Sequence, residues 1–218
     1  MDHEAVIFDL DGTLANTLED IADAMNRALV AEKAPVHSYD EYRHLIGGGL
    51  RNLARESLPL EKRSEETISR CYEAMLADYG GNYLVKTRLY NEVPELVAGL
   101  KAKDVRLAVF SNKSLELTRR IVARLLDERD FAVVMGARAG YPLKPDPAVA
   151  LWIGDRLGVV PERIAYVGDS RVDMLTAVAA GMIAVGAAWG FRTRDELIES
   201  GATVVIDHPL ELLAWAEP

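Results

Sequence analysis

Short apolar runs alternate with amphipathic segments through the second half of the chain. Residues 107–110 and 164–167 are apolar runs too short for a helix, and each predicts a buried strand. Strands are predicted near residues 5–9, 107–111, 132–135, 164–168, 183–187 and 203–206, and helices over 117–126, 147–157, 174–180 and from the last strand to Trp215. This alternation predicts a parallel sheet with helices on both faces.

The segment between the first strand and this alternating region has a different pattern. Residues 15–84 contain no strand-like run. Helices are predicted over 18–29 with Thr17 as N-cap, over 39–57 as two short helices separated by glycines 47–49, and over 68–79, ended by Gly80-Gly81. The sequence therefore predicts an α/β fold. Residues 1–14 and 85–218 would form a Rossmann-like parallel sheet core, with a helical cap domain at 15–84 inserted after the first strand.

The composition is that of a globular protein with an acidic surface. The chain has 218 residues, of which 50% are hydrophobic, enough to bury a sizeable core. Lys and Arg number 25 against 34 Asp and Glu, and the net charge of −9 disfavours a nucleic-acid partner. Cys71 is the only cysteine, which indicates a reducing compartment.

One uncharged stretch, residues 174–191, approaches the length of a membrane span. Its high Ala and Gly content predicts a helix, a turn and a strand instead. The chain starts with Met1-Asp2-His3-Glu4, which is acidic where a signal peptide is basic. We therefore expect a cytoplasmic protein that has no membrane partner.

Polar residues stand after four of the predicted strands. They are Asp9 and Asp11, Ser111 and Asn112, Lys144 after a loop, and Asp169 and Asp173. Because the carboxyl ends of parallel strands share one edge of a sheet, we expect these side chains to converge. The helical block leaves the sheet from the same edge. It is therefore expected to lie over the site as a lid that excludes water.

The convergence would bring up to four carboxylates together. Two unit charges about 4 Å apart repel by roughly 4 kcal/mol at an effective dielectric constant near 20, so such a cluster requires a cation. Oxygen ligands without a nearby histidine suit Mg²⁺. Lys144, a hydroxyl and loop amides would complete a phosphate site. Each of the four polar segments alone could be an ordinary turn or helix start. Their occurrence in this order after four strands favours a catalytic site.

The chain resembles the haloacid dehalogenase-like superfamily of phosphatases over essentially its whole length. The motifs that carry the resemblance are Phe8-Asp9-Leu10-Asp11-Gly12-Thr13-Leu14, Ser111-Asn112-Lys113, Lys144-Pro145 and Gly168-Asp169-Ser170-Arg171-Val172-Asp173. The helical block resembles the type-1 cap of this family. Residues 42–50 are similar to the corresponding segment of phosphoglycolate phosphatases. One departure is Asn16-Thr17, where many such phosphatases have Asp-Ser.

This resemblance implies a role for each motif residue. Asp9 would be the nucleophile that forms an aspartyl-phosphate. Asp11 would be the general acid and then the general base, and it implies a phosphate substrate because the dehalogenases of the superfamily lack it. Thr13 would order the nucleophile loop. The phosphate-binding residues would be Thr13, Ser111, Asn112 and Lys144. Asp9, the main-chain oxygen of Asp11 and Asp169 would hold Mg²⁺, supported by Asp173.

Substrate specificity is expected from the cap, because the core motifs bind only the phosphoryl group and the metal. The candidate residues lie at the predicted helix break and are Arg43, His44, Gly47, Gly48, Gly49 and Arg51. An arginine or loop amides there would suit a small anionic leaving group. The alternative is that the arginines are solvated helix charges and that the glycines only separate two helices.

Together these features predict a Mg²⁺-dependent phosphomonoester hydrolase. It would act on a small phosphorylated metabolite through an aspartyl-phosphate, with phosphoglycolate as the leading substrate. A sugar phosphomutase similar to β-phosphoglucomutase, a pyrophosphatase or a nucleotidase remain alternatives on the same scaffold. A non-catalytic phosphate-binding regulator is disfavoured because Asp9, Asp11, Lys144 and Asp169 are all present.

Overall fold

A computed structural model of the protein describes residues 3–215, except for the side chain of Trp215. The strands are Ala5–Phe8 (β1), Ala15–Asn16 (β2), Arg88–Leu89 (β3), Arg106–Ser114 (β4), Val133–Ala137 (β5), Ile164–Gly168 (β6), Ile183–Ala187 (β7) and Val204–Ile206 (β8). The helices are Leu18–Ala31 (α1), Tyr39–Leu45 (α2), Leu50–Ser57 (α3), Glu65–Asn82 (α4), Val93–Ala102 (α5), Leu115–Leu125 (α6), Ala148–Leu157 (α7), Arg171–Ala179 (α8) and Arg194–Glu199 (α9). Short 3₁₀ helices occur at Leu60–Lys62, Glu128–Asp130, Pro161–Arg163 and Pro209–Trp215.

Six of the strands form one parallel sheet in the order β5-β4-β1-β6-β7-β8. β1 lies in the middle, where Phe8 pairs with Val109 of β4 and with Val167 of β6. All four residues of β1 are buried, as expected for a parallel strand covered on both faces. This sheet confirms the predicted Rossmann-like α/β fold.

Side chains alternate between the two faces of the sheet and so contribute to two separate cores. Val6 and Phe8 pack on the face covered by α5 and α6. Ala5 and Ile7 pack on the opposite face, which is covered by α7, α8 and α9. The alternation follows from the two-residue period of a strand, and it holds β1 rigidly at the centre of the molecule.

Helices α1–α4 enclose a third core that includes the fully buried Met25, Tyr42 and Tyr79. The antiparallel pair of β2 with β3 joins the chain where it enters this helical block and where it returns to the sheet. Among the described residues, no strand between 17 and 80 pairs with the main sheet. We propose that residues 15–84 are a separate cap domain, since they supply most of the third core, to which Leu117 and Phe191 are added from outside, and since they leave the sheet beside β1.

Some predicted boundaries are wrong. The pattern predicts that Gly80-Gly81 ends a helix, but α4 continues to Asn82. Nothing lies within 4 Å of a Cβ built on either glycine, so both occupy an open helix surface. Helices α5 and α9 are not predicted. Thr17 does precede α1, but its side chain makes no cap hydrogen bond and instead donates to Asp11, 2.6 Å away.

The strand β4 is longer than its apolar run predicts. It continues to Ser114, so Ser111 and Asn112 lie within the strand rather than after it. The pairing of β4 with β5 shifts register between Phe110 and Ser114 and resumes where Ser114 pairs with Ala137. This irregularity lets polar side chains occupy the end of a strand that is otherwise apolar.

The uncharged residues 174–191 are split between the end of α8, a turn, β7 and the loop after it. Within residues 3–215, no helix has the length and apolar character needed to cross a membrane.

Candidate active site

The carboxyl edge of the sheet gathers charged side chains from several strands. Asp9 follows β1, Asp169 follows β6, and Asp173 lies in the first turn of α8. Lys144 reaches the same place from the loop after β5. Its Nζ lies 2.9 Å from Oδ1 of Asp9 and 2.7 Å from Oδ1 of Asp173. The fold therefore surrounds one ammonium group with carboxylates.

The carboxylates of Asp9, Asp169 and Asp173 are close enough to share one cation. One oxygen from each lies within 4.8 Å of the others, and all three residues are buried. Burial and the neighbouring carboxylates of Asp173 and Asp11 outweigh Lys144 and raise the pKa of Asp9 to about 7. Burial, with Asp173 and Asp9, also raises the pKa of Asp169 well above its usual range.

Burial is the main cause of both raised pKa values, and repulsion between the neighbouring carboxylates adds to it. Lys144 contacts Asp9 and Asp173. Among residues 3–215, the donors to Asp169 are uncharged: the main-chain N–H of Phe191 at 2.7 Å and the hydroxyl of Thr13 at 3.2 Å. Clustered carboxylate oxygens are hard ligands of the kind that divalent cations such as Mg²⁺ or Ca²⁺ prefer. The residues present therefore fit a divalent metal ion.

Two glycines permit the close packing around Asp169. Gly12 has a φ of +85°, and a Cβ on it would lie 2.1 Å from Oδ2 of Asp169. A Cβ on Gly190 would lie 2.2 Å from Cβ of Asp169 and 2.5 Å from the main-chain oxygen of Gly12. A side chain at either position would displace the carboxylate, so the glycine of the first motif is required by the approach of β1 to β6.

Lys144 is completely buried, and its charge depends on its partners. Burial opposes the charged form, but the carboxylates of Asp173 and Asp9 outweigh it and raise the pKa of Lys144 well above its ordinary value. The Nζ group also donates to the main-chain oxygen of Phe110, at 3.2 Å. The ammonium group is therefore a fixed positive charge beside Asp9.

Asn112 holds the Lys144 loop in place. Its side-chain oxygen accepts a hydrogen bond from the main-chain N–H of Lys144 at 2.8 Å, and its amide donates to the main-chain oxygen of Lys144 at 3.1 Å. The same amide donates to the main-chain oxygen of Gly47, 3.0 Å away. Ser111 lines the cavity beside Asp9, and its hydroxyl accepts the main-chain N–H of Lys113.

The carboxylate of Asp11 is not part of the three-carboxylate cluster. Its Oδ1 accepts hydrogen bonds from the hydroxyl of Thr17 and from Nζ of Lys113, both at 2.6 Å. Nζ of Lys113 also donates to the hydroxyl of Tyr79, 2.8 Å away. Sequence reasoning quotes Lys113 within a motif but assigns it no role. The sequence gives little signal for this role, since Lys113 stands among the polar residues Ser111, Asn112 and Ser114 at the end of β4.

Thr13 lies behind the site rather than in the cavity. Its hydroxyl donates to Oδ1 of Asp169, and its main-chain oxygen accepts the indole N–H of Trp189 at 2.9 Å. Thr13 therefore joins the loop after β1 to Asp169 and to the loop after β7.

A cavity separates the sheet edge from the helical block. The sheet side of its lining consists of Asp9, Asp11, Ser111, Asn112, Lys113, Asp169 and Ser170. The opposite side consists of Ile21, Ile46, Gly47, Gly49, Leu50, Leu53 and the core residue Phe191. The charged groups therefore face a wall that is mostly apolar, and substrate bound between them would be shielded from water.

The structure brings only part of the proposed specificity loop to this cavity. Gly47 and Gly49 line it, whereas Arg43, His44, Gly48 and Arg51 do not. Arg51 pairs with Glu65 at 2.9 Å on α4. Arg43 donates to the main-chain oxygen of Gly190 at 3.4 Å and remains partly exposed. Arg43 thus borders the site, and Arg51 is directed elsewhere.

Arg192 connects the loop after β7 to the helical block, a contact that sequence reasoning misses. Its Nη2 donates to the main-chain oxygens of His44 at 3.0 Å and Ile46 at 2.8 Å. Its Nε lies 3.2 Å from Glu196. The residue before it, Phe191, donates its main-chain N–H to Asp169. One short loop therefore contacts both the carboxylate cluster and the glycine loop of the block.

Comparison with known proteins places this geometry in a family. The family model for haloacid dehalogenase-like hydrolases matches residues 6–187. Phosphoglycolate phosphatase 1 of Pseudomonas aeruginosa is 32% identical over 97% of this chain and 79% of its own length. Phosphoglycolate phosphatase of Aquifex aeolicus is 34% identical over 85% of each chain.

Solved structures of related proteins match the fold of this chain over nearly its full length. A crystal structure described as a predicted phosphoglycolate phosphatase of Haemophilus somnus is 27% identical, with a TM-score of 0.90, and covers 100% of this chain and 99% of its own. CbbY of Rhodobacter sphaeroides, crystallised with xylulose-(1,5)bisphosphate, is 26% identical with a TM-score of 0.81, covering 99% of this chain and 100% of its own. The fold, the carboxylate cluster and these matches agree: the chain belongs to the haloacid dehalogenase-like hydrolases.

Proposed function

We propose that this hydrolase is a Mg²⁺-dependent phosphatase that acts on phosphoglycolate through an aspartyl-phosphate on Asp9. The observation that carries the proposal is the position of Asp9. Its carboxylate faces the cavity, lies 2.9 Å from the ammonium group of Lys144, and belongs to a cluster suited to a divalent cation. A second aspartate, Asp11, lines the same cavity.

The proposed reaction has two steps. An oxygen of Asp9 attacks phosphorus, the bond from phosphorus to the leaving oxygen breaks, and Asp11 donates a proton to that oxygen. Water then attacks the aspartyl-phosphate while Asp11 takes up its proton, which releases phosphate and restores Asp9. Phosphoryl transfer depends mostly on positioning and charge stabilisation, which Ser111 and Lys144 would provide beside Asp9.

Asp9, Asp169 and the main-chain oxygen of Asp11 would hold the Mg²⁺ ion, with Asp173 in support. When bound, the ion neutralises the carboxylates and the transferring phosphoryl group. Asp173 is already bonded to Lys144 and accepts the main-chain N–H of Ser170, so its contribution is to fix Lys144 and the start of α8.

Phosphoglycolate is favoured as the substrate by the relatives that share most of this chain's length and carry that name. The CbbY structure favours a sugar bisphosphate as the second candidate, because its bound ligand belongs to that class. Location in the cytoplasm remains a prediction that rests on the single cysteine, Cys71.

The test is phosphate release from a panel of phosphomonoesters, measured with Mg²⁺ and after exhaustive chelation. The panel contains phosphoglycolate, sugar phosphates, a sugar bisphosphate, a nucleoside monophosphate and pyrophosphate. We expect the highest kcat/KM with phosphoglycolate, and loss of activity after chelation that Mg²⁺ restores. Transfer to a second hydroxyl without phosphate release would show a mutase, and full activity without metal would exclude the proposed mechanism.

A further inference from the structure

Lys113 is a buried cation that lines the cavity on its sheet side and contacts Asp11. Its Nζ donates to Oδ1 of Asp11 at 2.6 Å, and its side chain is 1% exposed. The hydroxyl of Thr17 donates to the same oxygen, also at 2.6 Å. Two donors on one carboxylate oxygen restrict rotation of the Asp11 side chain.

The other oxygen of Asp11 remains free for chemistry. No hydrogen bond to Oδ2 is formed by the residues between 3 and 215, and Asp11 lines the cavity. A group that donates a proton must hold it at a defined place relative to the leaving oxygen, because small misplacements cost large factors in rate. The Oδ1 contacts therefore select Oδ2 as the oxygen that carries the proton.

A lysine at this position needs an explanation, because burying an ammonium group costs several kcal/mol unless it is paired. An apolar side chain of similar length would fill the same space without that cost. Lys113 instead donates hydrogen bonds to Asp11 and to the hydroxyl of Tyr79, 2.8 Å away. Tyr79 is fully buried in α4, so its hydroxyl anchors Lys113 from the helical block.

We propose that Lys113 is a positioning residue that, together with Thr17, orients the carboxylate of Asp11 for proton transfer, and that Tyr79 seats Lys113 from the helical block. This inference rests on the proposed phosphatase function and on the role of Asp11 in it. The link runs from the helical block through Tyr79 and Lys113 to Asp11. Packing of the helical block against the sheet edge would therefore help to orient Asp11, the general acid.

The first test compares wild type with Lys113→Met on three substrates. Phosphoglycolate and ethyl phosphate release poor alkoxide leaving groups, which need a proton, whereas p-nitrophenyl phosphate releases a good one. We expect kcat/KM, which reports the steps up to departure of the leaving group and excludes the shared hydrolysis of the aspartyl-phosphate, to fall by about tenfold or more with both alkyl phosphates, a fraction of the usual worth of general acid catalysis. The loss with p-nitrophenyl phosphate should be at least about fivefold smaller. Lys101→Met, which removes an exposed ion pair with Asp130, is the matched control.

Two further variants exclude a merely structural effect. Tyr79→Phe removes only the hydroxyl, keeps the ring in its core, and should produce a smaller loss with the same preference for alkyl phosphates. Lys113→Met added to Asp11→Asn should cause no further loss in kcat, because the lysine acts through Asp11.

Three results would overturn the inference. Equal losses with all three substrates would mean that Lys113 only maintains the fold. A loss confined to phosphoglycolate would mean that Lys113 binds the substrate carboxylate, and a further loss in the Asp11→Asn background would mean that it acts independently. A wild-type enzyme that hydrolyses none of the three substrates would instead refute the proposed function, and the inference with it.

Discussion

The side-chain amide of Asn112 lies 3.0 Å from the main-chain oxygen of Gly47 and donates a hydrogen bond to it. Asn112 belongs to β4 and Gly47 to the loop between α2 and α3, so this bond crosses the cavity from the sheet to the helical block. The same side chain makes two hydrogen bonds to the main chain of Lys144. Asn112 therefore connects the Lys144 loop with the glycine loop, residues 47–49.

Asn112→Ala should lower kcat/KM for phosphoglycolate by about tenfold or more, because it releases the Lys144 loop and the glycine loop together. Steady-state kinetics on the purified variant would measure this. Asn82→Ala, at the exposed end of α4, is the control. An effect below about twofold would show that the two loops hold their positions without Asn112.

Asp9→Asn should reduce turnover by more than about 10³-fold, because an amide is not a competent nucleophile.

Asp11→Asn should slow turnover by about 10²–10⁴-fold and let the aspartyl-phosphate accumulate. Acid quenching followed by mass spectrometry of the peptide that contains Asp9 would detect the phosphorylated form. Asp195→Asn, an exposed change on α9, should leave the rate unchanged. Phosphate trapped on any other residue would contradict the covalent scheme.

Metal affinity should increase as the pH rises towards 7. The pKa of Asp9 is raised from 3.8 to about 7, so below pH 7 the metal-free protein holds a proton that a divalent cation must displace. The apparent Mg²⁺ affinity should then rise by up to about tenfold per pH unit below 7 for each proton released. Isothermal titration calorimetry between pH 5.5 and 7.5 would measure it. A flat profile would mean that Asp9 is ionised before the metal binds.

The same raised pKa has the opposite consequence for the metal-free fold. Between the unfolded pKa near 4 and the folded pKa near 7, the folded state binds a proton that the unfolded state has lost. The free energy of unfolding of metal-free protein should therefore fall as the pH rises through this window. Asp9→Asn removes the titrating group, and denaturant unfolding of this variant should show a smaller decline. Identical declines in both proteins would assign the effect to other groups.

Arg192→Ala should raise KM by about fivefold to tenfold, because it removes two hydrogen bonds to the main chain of the glycine loop. The neighbouring Arg194→Ala removes an exposed pair with Asp207 and a hydrogen bond to the main-chain oxygen of Val205, neither of which involves the helical block, and serves as the control. Substrate titration curves for both variants would be compared at saturating Mg²⁺. Equal KM values in the two variants would exclude Arg192 as the residue that seats the helical block.

The two arginines proposed for specificity should behave differently. Arg51 is paired with Glu65 away from the cavity, so Arg51→Ala should change kcat/KM for phosphoglycolate by less than about twofold. Arg43 borders the site at Gly190, and Arg43→Ala should lower kcat/KM for phosphoglycolate by about tenfold while sparing p-nitrophenyl phosphate. Equal effects of Arg43→Ala on both substrates would remove the helix α2 end from substrate recognition.

The order of apolar and polar residues was sufficient to predict the parallel sheet and the edge where its chemistry lies. A short apolar strand that ends in Asp9 and another that ends before Asp169 must deliver both side chains to the same edge, because parallel strands run in one direction. These relationships are local along each strand, so a single sequence contains them. Gly12 and Gly190 lie in the loops after β1 and β7. The need for glycine at both positions is visible only in the fold, because both pack closely against Asp169.

Tertiary structure alone decided which further charged residues support the carboxylates and Lys144 of the site. Nothing in the spacing along the chain indicates that Lys113 meets Tyr79, 34 residues away, or that Arg192 reaches the oxygen of Ile46, 146 residues away. Such contacts depend on how the helical block packs over the sheet edge. Arg43 and Arg51 occupy the same short segment, yet one borders the cavity and the other turns to α4, because side chains a few residues apart on neighbouring helices point in different directions. The local sequence pattern therefore determined which edge of the sheet holds the carboxylates. Packing between distant segments determined which other residues contact and position them.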